Sequence, residues 1–389
     1  MTKKWSSRLT FFAFVVLMVG LGSNDSLRGI FSTIFQEHFS LTTTQLGLIV
    51  TASYIGNLVF LLVGGNLSTR FSKKRVLQVL ILIWMAALAL FAFTSNYTVL
   101  LIGMALALGS STLLNTTMNL ITPLLFATAP GFFVNFLFFT QEIGTSGSQY
   151  ILGSHADGFA FWQHTNLVLL ILGAVAFVLL LFCNVPEEAA ASADAPAQKG
   201  GYDWRIIVPY VLVFGFYFIA EHGVMNWMVA YGVDGLGLPQ ASAAKYLSVF
   251  FGGMMIGRLC LSPLVDKLGA LKSLATFGGV SCVLYLIGSL GGAVTMPVWA
   301  ISGLSFSILY PTLVMSIRLY FPAQQVSGAA GTILSIASLA DILFNVGFGK
   351  LVDMTGYAVS IRVLPLSALA FFIVFMLFTK FCKPTQKLK

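Results

Sequence analysis

The sequence predicts an all-α integral membrane protein of twelve transmembrane helices, built as two pseudo-symmetric six-helix bundles. Three observations carry this expectation. Apolar runs of about twenty residues, enough helix to cross a hydrocarbon core about 30 Å thick, recur from end to end. Hydrophobic residues make up 58% of the 389-residue chain and charged residues only 9%, whereas a soluble domain carries roughly a quarter. A single long polar connector separates six runs from six.

The runs fall at 9–34, 44–68, 75–94, 97–125, 131–153 and 165–184, then at 204–233, 241–264, 271–291, 295–320, 325–350 and 360–381. Helices are expected because lipid leaves open backbone groups without partners, and a barrel would show short alternating segments instead. The basic start, MTKKWSSR, suits a signal peptide. No small-residue cleavage pattern follows, however, and the apolar run is too long, so 9–34 reads as a retained first span. The connector VPEEAAASADAPAQKGGYDWR, rich in Ala, Pro and acid, reads as a flexible cytoplasmic linker. The expected division is an N-terminal bundle at 1–184, a linker at 185–203 and a C-terminal bundle at 204–389.

Charge placement gives orientation. If both ends share a face, that face holds Lys3, Lys4, Arg8, Arg70, Lys73, Lys74, Arg75, Lys267, Lys272, Arg318 and the basic tail; the other holds only Lys245, Lys350 and Arg362. The bias places both termini in the cytoplasm of a multi-pass protein of the cell's inner (plasma) membrane. The net charge of +8 then reflects topology and contact with the lipid bilayer rather than nucleic acid. Cys183, Cys260, Cys282 and Cys382 lie in or beside helices without CxxC spacing, and read as inert thiols.

The halves repeat. Setting Gly64 on Leu261 carries Arg70 onto Lys267, Gly56 onto Gly253, Leu41 onto Leu238, and Asn24-Asp25 onto Glu221-His222. Internal symmetry of this kind marks a transporter built from duplicated bundles. The joint after the second run reads G-N-L-S-T-R-F-S-K-K-R, with Gly65, Leu67, Arg70, Lys73, Lys74 and Arg75 at set spacing. It resembles the signature of the major facilitator superfamily, with Thr69 where an acid and Ser72 where a glycine are usual. The second copy keeps the acid, Asp266, and the glycine, Gly269, beside Lys267. The resemblance implies that these residues hold one conformation of each half through helix-end contacts and charge pairs.

Three further patches resemble the fucose–galactose–glucose proton symporter family: Ser23-Asn24-Asp25-Ser26, the run Leu114 to Asn119, and Phe251 to Arg258. That family has a glutamate where Asn115 stands here, so Asn115 is a departure, and Glu142 is the acid available to replace it. The resemblance implies a cavity lined by helices one, four, seven and ten. It also implies proton-coupled uptake of a small polar solute, most simply a monosaccharide, by alternating access.

Four acids lie deep inside predicted runs: Asp25, Glu142, Glu221 and Asp341. An ionisable group at bilayer depth costs at least about 2.5–3.5 kcal/mol, so each needs a partner, a proton or a hydrated cavity. Asp25 is the first candidate for the proton, with Arg28 three residues on along the same helix face; a static Asp25–Arg28 pair is the structural alternative. Glu142, and the pair Glu221 and His222, are further candidates for coupling. Gln141 and Glu142 point about 100° apart and do not both face one cavity squarely. Asp341 reads as structural, paired with Arg258 or a helix end.

Sugar recognition calls for amides or charged forks on hydroxyls and an aromatic face for the ring. Asn24, Arg28, Asn115, Asn119, Gln141, Asn226, Trp227, Tyr310 and Asn345 supply these groups. Trp227 is equally placed to be an interfacial anchor. Arg28 serves hydroxyls or a carboxylate, which keeps an organic-anion symporter in view, alongside a proton-coupled exporter of amphipathic compounds. A ligand sensor is disfavoured, since no signalling segment is apparent. With no G-x-S-x-G, P-loop or H-E-x-x-H, the sequence points to no enzyme, metal or cofactor. The expected partners are a sugar-like solute and H+, and a monomer is expected to suffice.

Overall fold

A computed structural model of the chain describes residues 3–126, 130–186 and 202–384. It forms two compact units, Met1–Ala191 and Ser192–Lys389. Most of the expected linker, 187–201, lies outside the described residues. So do the side chains of 63–70 and of Asp266, and with them the expectations for Gly65, Arg70 and Asp266.

The first unit contains α1 (Lys3–Ile30), α2 (Thr43–Arg70), α3 (Lys73–Phe93), α4 (Tyr97–Leu125), α5 (Pro130–Ile151) and α6 (Phe159–Phe182). The second contains α7 (Trp204–Ala230), α8 (Gln240–Leu268), α9 (Ala270–Leu290), α10 (Met296–Leu319), α11 (Ala323–Thr355) and α12 (Val363–Phe381). Among the described residues, 11 helices are long and apolar enough to cross a membrane. The helix missing from that set is α5, whose Gln141, Glu142, Gln149 and neighbouring Ser and Thr residues lower its mean hydropathy.

The packing inside each unit reproduces the repeat read from the sequence. In the first, α1 packs on α5 and α6, α2 on α4, and α3 on α4 and α6. In the second, α7 packs on α11 and α12, α8 on α10, and α9 on α10 and α12. Thus α1 and α7 occupy equivalent places, and both are buried over most of their inner length: Phe14, Leu17, Leu21 and Leu27 on one, Phe214, Val224 and Met228 on the other, with Phe12, Val208 and Leu212 exposed nearer their starts. The outer helices show a one-sided stripe instead. On α6, Val168, Ile171, Val175, Val178 and Phe182 are exposed at three- and four-residue spacing, as expected of a face meeting lipid. A shallow groove of about 820 Å³ on α2, α3 and α6, lined by Val59, Phe60, Val79, Ile83 and Phe177, belongs to this apolar exterior.

Two expectations about helix bounds change. The sixth helix begins at Phe159 rather than 165, because Phe159 and Trp162 are buried at its start while polar His164 turns outward. The tenth is not continuous. It runs as Met296–Ile301, Gly303–Phe306, Leu309–Ser316 and a final 3₁₀ turn. Pro311 has no N–H for the carbonyl four residues before it, Ser307, and the helix breaks there.

Small residues let α1 and α5 touch backbone to backbone. A Cβ on Gly22 would stand 2.0 Å from the Gln141 carbonyl oxygen, and one on Gly144 would stand 2.2 Å from the Val19 oxygen. Thr145 Oγ1 donates to the Gly22 carbonyl at 3.2 Å, and Ser23 Oγ to the Gly144 carbonyl at 3.3 Å. At the far end of α6, Lys74 Nζ donates to the carbonyls of Leu181 (3.0 Å) and Cys183 (2.7 Å). This charge closes the helix's negative end. Burial pushes the neighbouring Cys183 thiol up from its ordinary range, against a Thr10 hydrogen bond and the Lys74 charge.

The α1–α5 crossing sets a direct test. Gly144→Val must separate two backbones and is expected to destabilise the protein by about 1–3 kcal/mol or more. Gly147→Ala, on the same helix with nothing within 4 Å of its added carbon, is expected to leave the melting temperature in detergent unchanged.

Candidate functional site

In the first unit the polar residues of α1 are held from three sides. Asn24, 6% exposed, accepts from Trp84 Nε1 of α3 at 3.2 Å. Asp25 accepts from Ser111 Oγ of α4 at 3.3 Å. Arg28, also 6% exposed, lies with its guanidinium 5.4 Å from the ring centroid of Tyr54 on α2, within cation–π range. Its charge acts on Asp25 as well. The Arg28 Nε is buried without a hydrogen-bond partner.

Helices α4 and α5 join through a chain of amides. Asn115 Nδ2 donates to Gln141 Oε1 at 2.6 Å, and Asn119 Nδ2 donates to Asn115 Oδ1 at 2.6 Å. Ser111, Asn115 and Asn119 follow one another at four-residue spacing and so share a face of α4. The chain ends on Asn119 Oδ1, a buried acceptor that receives no donor. Gln141 therefore turns toward α4, and Glu142, one residue on, is half-buried. The structure thus brings Asn24, Asp25 and Arg28 together on α1, and Asn115, Asn119 and Gln141 together across α4 and α5.

In the second unit the adjacent Glu221 and His222 part company. Glu221, 9% exposed, sits among tyrosines and acts electrostatically on Tyr217, Tyr285 and Tyr310. Tyr285 itself donates to the Ala220 carbonyl at 2.7 Å. His222 Nδ1 instead meets Asp341 Oδ2 of α11, and its ring stacks on Phe218 at 5.3 Å. Asp341 therefore takes His222, not the Arg258 or helix-end partner expected from the sequence. A histidine one turn-third away from Glu221 faces a different neighbour, so nothing in the primary sequence marked the pair. Arg258, half-buried on α8, acts on Tyr217 and Tyr310.

Below His222, Trp227 is fully buried and its Nε1 donates to Asn345 Oδ1 at 2.9 Å, while Asn345 Nδ2 donates to the Asp341 carbonyl at 2.8 Å. Trp227 and Asn345 thus join α7 to α11, with no indole face left open in this conformation. Asn226, next to Trp227, is buried too. Tyr310, after the break in α10, lies against Phe214, Tyr217 and Phe218 and is half-buried. Lys267 is exposed at the end of α8. Among the described residues, no group of three His, Cys, Asp or Glu side chains is placed to hold a metal ion.

Sequence reasoning passed over Ser111, Trp84, Tyr54 and, of the tyrosines around Glu221, Tyr217 and Tyr285. Ser111 had a signal, its spacing from Asn115; Trp84 and Tyr54 sit in apolar runs that gave none.

The sequence profile of the Major Facilitator Superfamily matches residues 10–340. The L-fucose-proton symporter of Escherichia coli (strain K12) is 23% identical over 333 residues, spanning 74% of this chain and 75% of that protein. A glucose/galactose transporter of Brucella abortus biovar 1 is 27% identical over 344 residues, spanning 82% and 81%. Among solved structures, the inward open xylose transporter of E. coli shares the fold, with a TM-score of 0.77 at 14% identity over 97% of this chain and 96% of that one.

The Trp227–Asn345–Asp341 tie is testable apart from transport. Asn345→Leu removes the indole's acceptor and is expected to cost about 1–3 kcal/mol, read as a lower melting temperature in detergent. Trp227→Phe removes the donor and is expected to add little further loss when combined with it.

Proposed function

The chain belongs to the Major Facilitator Superfamily, and from that premise we propose that it is a proton-coupled uptake carrier for a monosaccharide, working by alternating access. The observation that carries this reading is the meeting, in the first unit, of an intramembrane acid with a run of amides. Asp25 is held by one neutral hydroxyl, Ser111, and lies in the field of Arg28. The amides of Asn115, Asn119 and Gln141 offer the mixed donors and acceptors that sugar hydroxyls require. The names of the two curated relatives, a proton symporter and a hexose transporter, point the same way.

The coupling follows from electrostatics. A carboxylate sealed from water is costly unless it is neutralised or fully paired. One proton on Asp25 removes that cost and lets the loaded form close; loss of the proton to the opposite side favours release and return. The ligand acts only by its different affinities for the two states. Glu142, Glu221 and His222 remain further candidates for the proton's path. Asn24, Arg28, Asn226, Trp227, Tyr310 and Asn345 remain candidates for contact with the solute in other states of the cycle. We also propose a monomer in the inner membrane with both termini in the cytoplasm, on the charge bias of the joints.

The test separates coupling from binding. In proteoliposomes, Asp25→Asn is expected to abolish sugar accumulation driven by an inward proton gradient. It is expected to keep counterflow of labelled against unlabelled sugar within about tenfold of wild type, because an amide mimics the protonated acid in shape and hydrogen bonding. Proton-driven accumulation at the wild-type level by this variant would remove Asp25 from the mechanism.

A further inference from the structure

The charge balance around α1 narrows the class of solute. Arg28 is a guanidinium 94% buried, placed over Tyr54, with its Nε unpartnered. Asp25, three residues earlier, is the acid on its own helix, and the two charges act on each other. While Asp25 is ionised, the two groups together carry no net charge. Once Asp25 holds a proton, as the coupling above requires, Arg28 becomes an uncompensated buried cation. A neutral sugar does nothing for that charge. A carboxylate answers it and accepts from the free Nε, in the planar fork geometry that suits guanidinium.

The surroundings fit such a solute. The other titratable groups on the helices around α1 are Glu37 and His38 at the end of the short helix Ser32–His38, Tyr54 and the terminal Arg70 on α2, Lys73, Lys74 and Arg75 at the start of α3, Tyr97 at the start of α4, Glu142 and the exposed Tyr150 on α5, and the exposed His164 on α6. The lysines and arginines among them stand in the first or last turns of their helices, and Lys74 is taken up by the carbonyls that close α6. The neighbouring Ser111, Asn115, Asn119 and Gln141 are neutral, and suit hydroxyls. Asn119 Oδ1 is a buried acceptor awaiting a donor, and a sugar hydroxyl is such a donor.

We infer that the carrier's substrate is a sugar acid, whose carboxylate pairs with Arg28 while its hydroxyls meet the amides of α4 and α5. This rests on the proton-coupled sugar reading and specifies its solute. The charge count is closed. One H+ binds the Asp25 carboxylate from outside, one carboxylate anion binds Arg28, and both leave on the inner side. The transported load, one H+ and one monoanion, is neutral, and it stays neutral if the proton rides on Glu142. A neutral sugar carried with H+ would move one positive charge per cycle.

The experiment compares D-glucuronate with D-glucose in proteoliposomes, with the membrane potential set by potassium and valinomycin. Under an inward proton gradient, wild-type kcat/KM is expected to favour glucuronate by about tenfold or more. Glucuronate uptake should not change when an inside-negative potential is imposed. Arg28→Gln is expected to cut glucuronate kcat/KM by about thirtyfold or more. Arg28→Lys keeps the charge but loses the fork, so it should raise the KM for glucuronate more than that for glucose and leave uptake indifferent to potential. The lysine variant decides the matter if the glutamine variant does not fold. Glucose taken up as well as glucuronate, glucuronate uptake accelerated by the potential, or an unchanged KM ratio in Arg28→Lys would each overturn the inference while leaving proton–sugar symport standing. If neither solute is accumulated on a proton gradient, the underlying reading falls and this one with it.

Discussion

A polar group that this chain carries into the membrane is costly until it meets a partner, a proton or a hydrated cavity. Lipid offers neither donors nor acceptors, so an unpaired amide or charge there loses what water would have supplied. That constraint explains why the polar side chains come in connected sets. Asn24 is met by Trp84, Asp25 by Ser111, Asn115 by Gln141 and Asn119. In the second unit, His222 is met by Asp341, and Trp227 by Asn345. Each of these bonds ties one helix to another or steadies a neighbour on the same helix. Polar residues that look dispersed along the sequence therefore act as the fastenings of the bundles, and the apolar mass around them sets only how tightly they are held.

The same constraint shapes the backbone. Where α1 and α5 cross, glycines at 22 and 144 remove the side chains, and Ser23 and Thr145 place hydroxyls on the carbonyls of the opposite helix. Close approach puts Gln141 beside the polar face of α4 without long side chains to bridge the gap. The packing scheme that results, α1 on α5 and α6, recurs as α7 on α11 and α12. A duplicated frame has kept its contacts while its polar fittings diverged: Asn24 and Asp25 in one copy correspond to Glu221 and His222 in the other.

Much of this was legible in the sequence because lipid acts as a coarse solvent with a sharp rule. Length and apolarity located the helices, and the same rule made Asp25, Glu142, Glu221 and Asp341 conspicuous. The four-residue spacing of Asn115 and Asn119 placed them on one face. What the sequence left open depends on helix rotation and on partners far along the chain. Nothing near His222 announces Asp341, 119 residues away, and nothing in the apolar run of α3 distinguishes Trp84 from a lipid-facing aromatic. Trp227 shows the same ambiguity from the other side. Both an open platform and an interfacial anchor suited its position, and the structure buries it on Asn345. The break in α10 had a visible cause, Pro311, but a proline alone does not say whether a helix kinks or stops.

The two units settle their charges differently, and the proposed coupling rests on that difference. In the second unit Asp341 has a titratable partner at hydrogen-bond range in His222, and Glu221 lies within a shell of tyrosines. In the first, Asp25 receives one hydroxyl and shares a field with Arg28, whose Nε is left without an acceptor. The His222–Asp341 contact resists change, since removing either partner strands a buried charge, although Asp341 Oδ1 has no hydrogen-bond partner. The first unit's acid and cation are each left with capacity for a proton or a ligand. On the proposed reading, that incompleteness gives a substrate something to bind, and protonation of the acid and arrival of an anion favour each other.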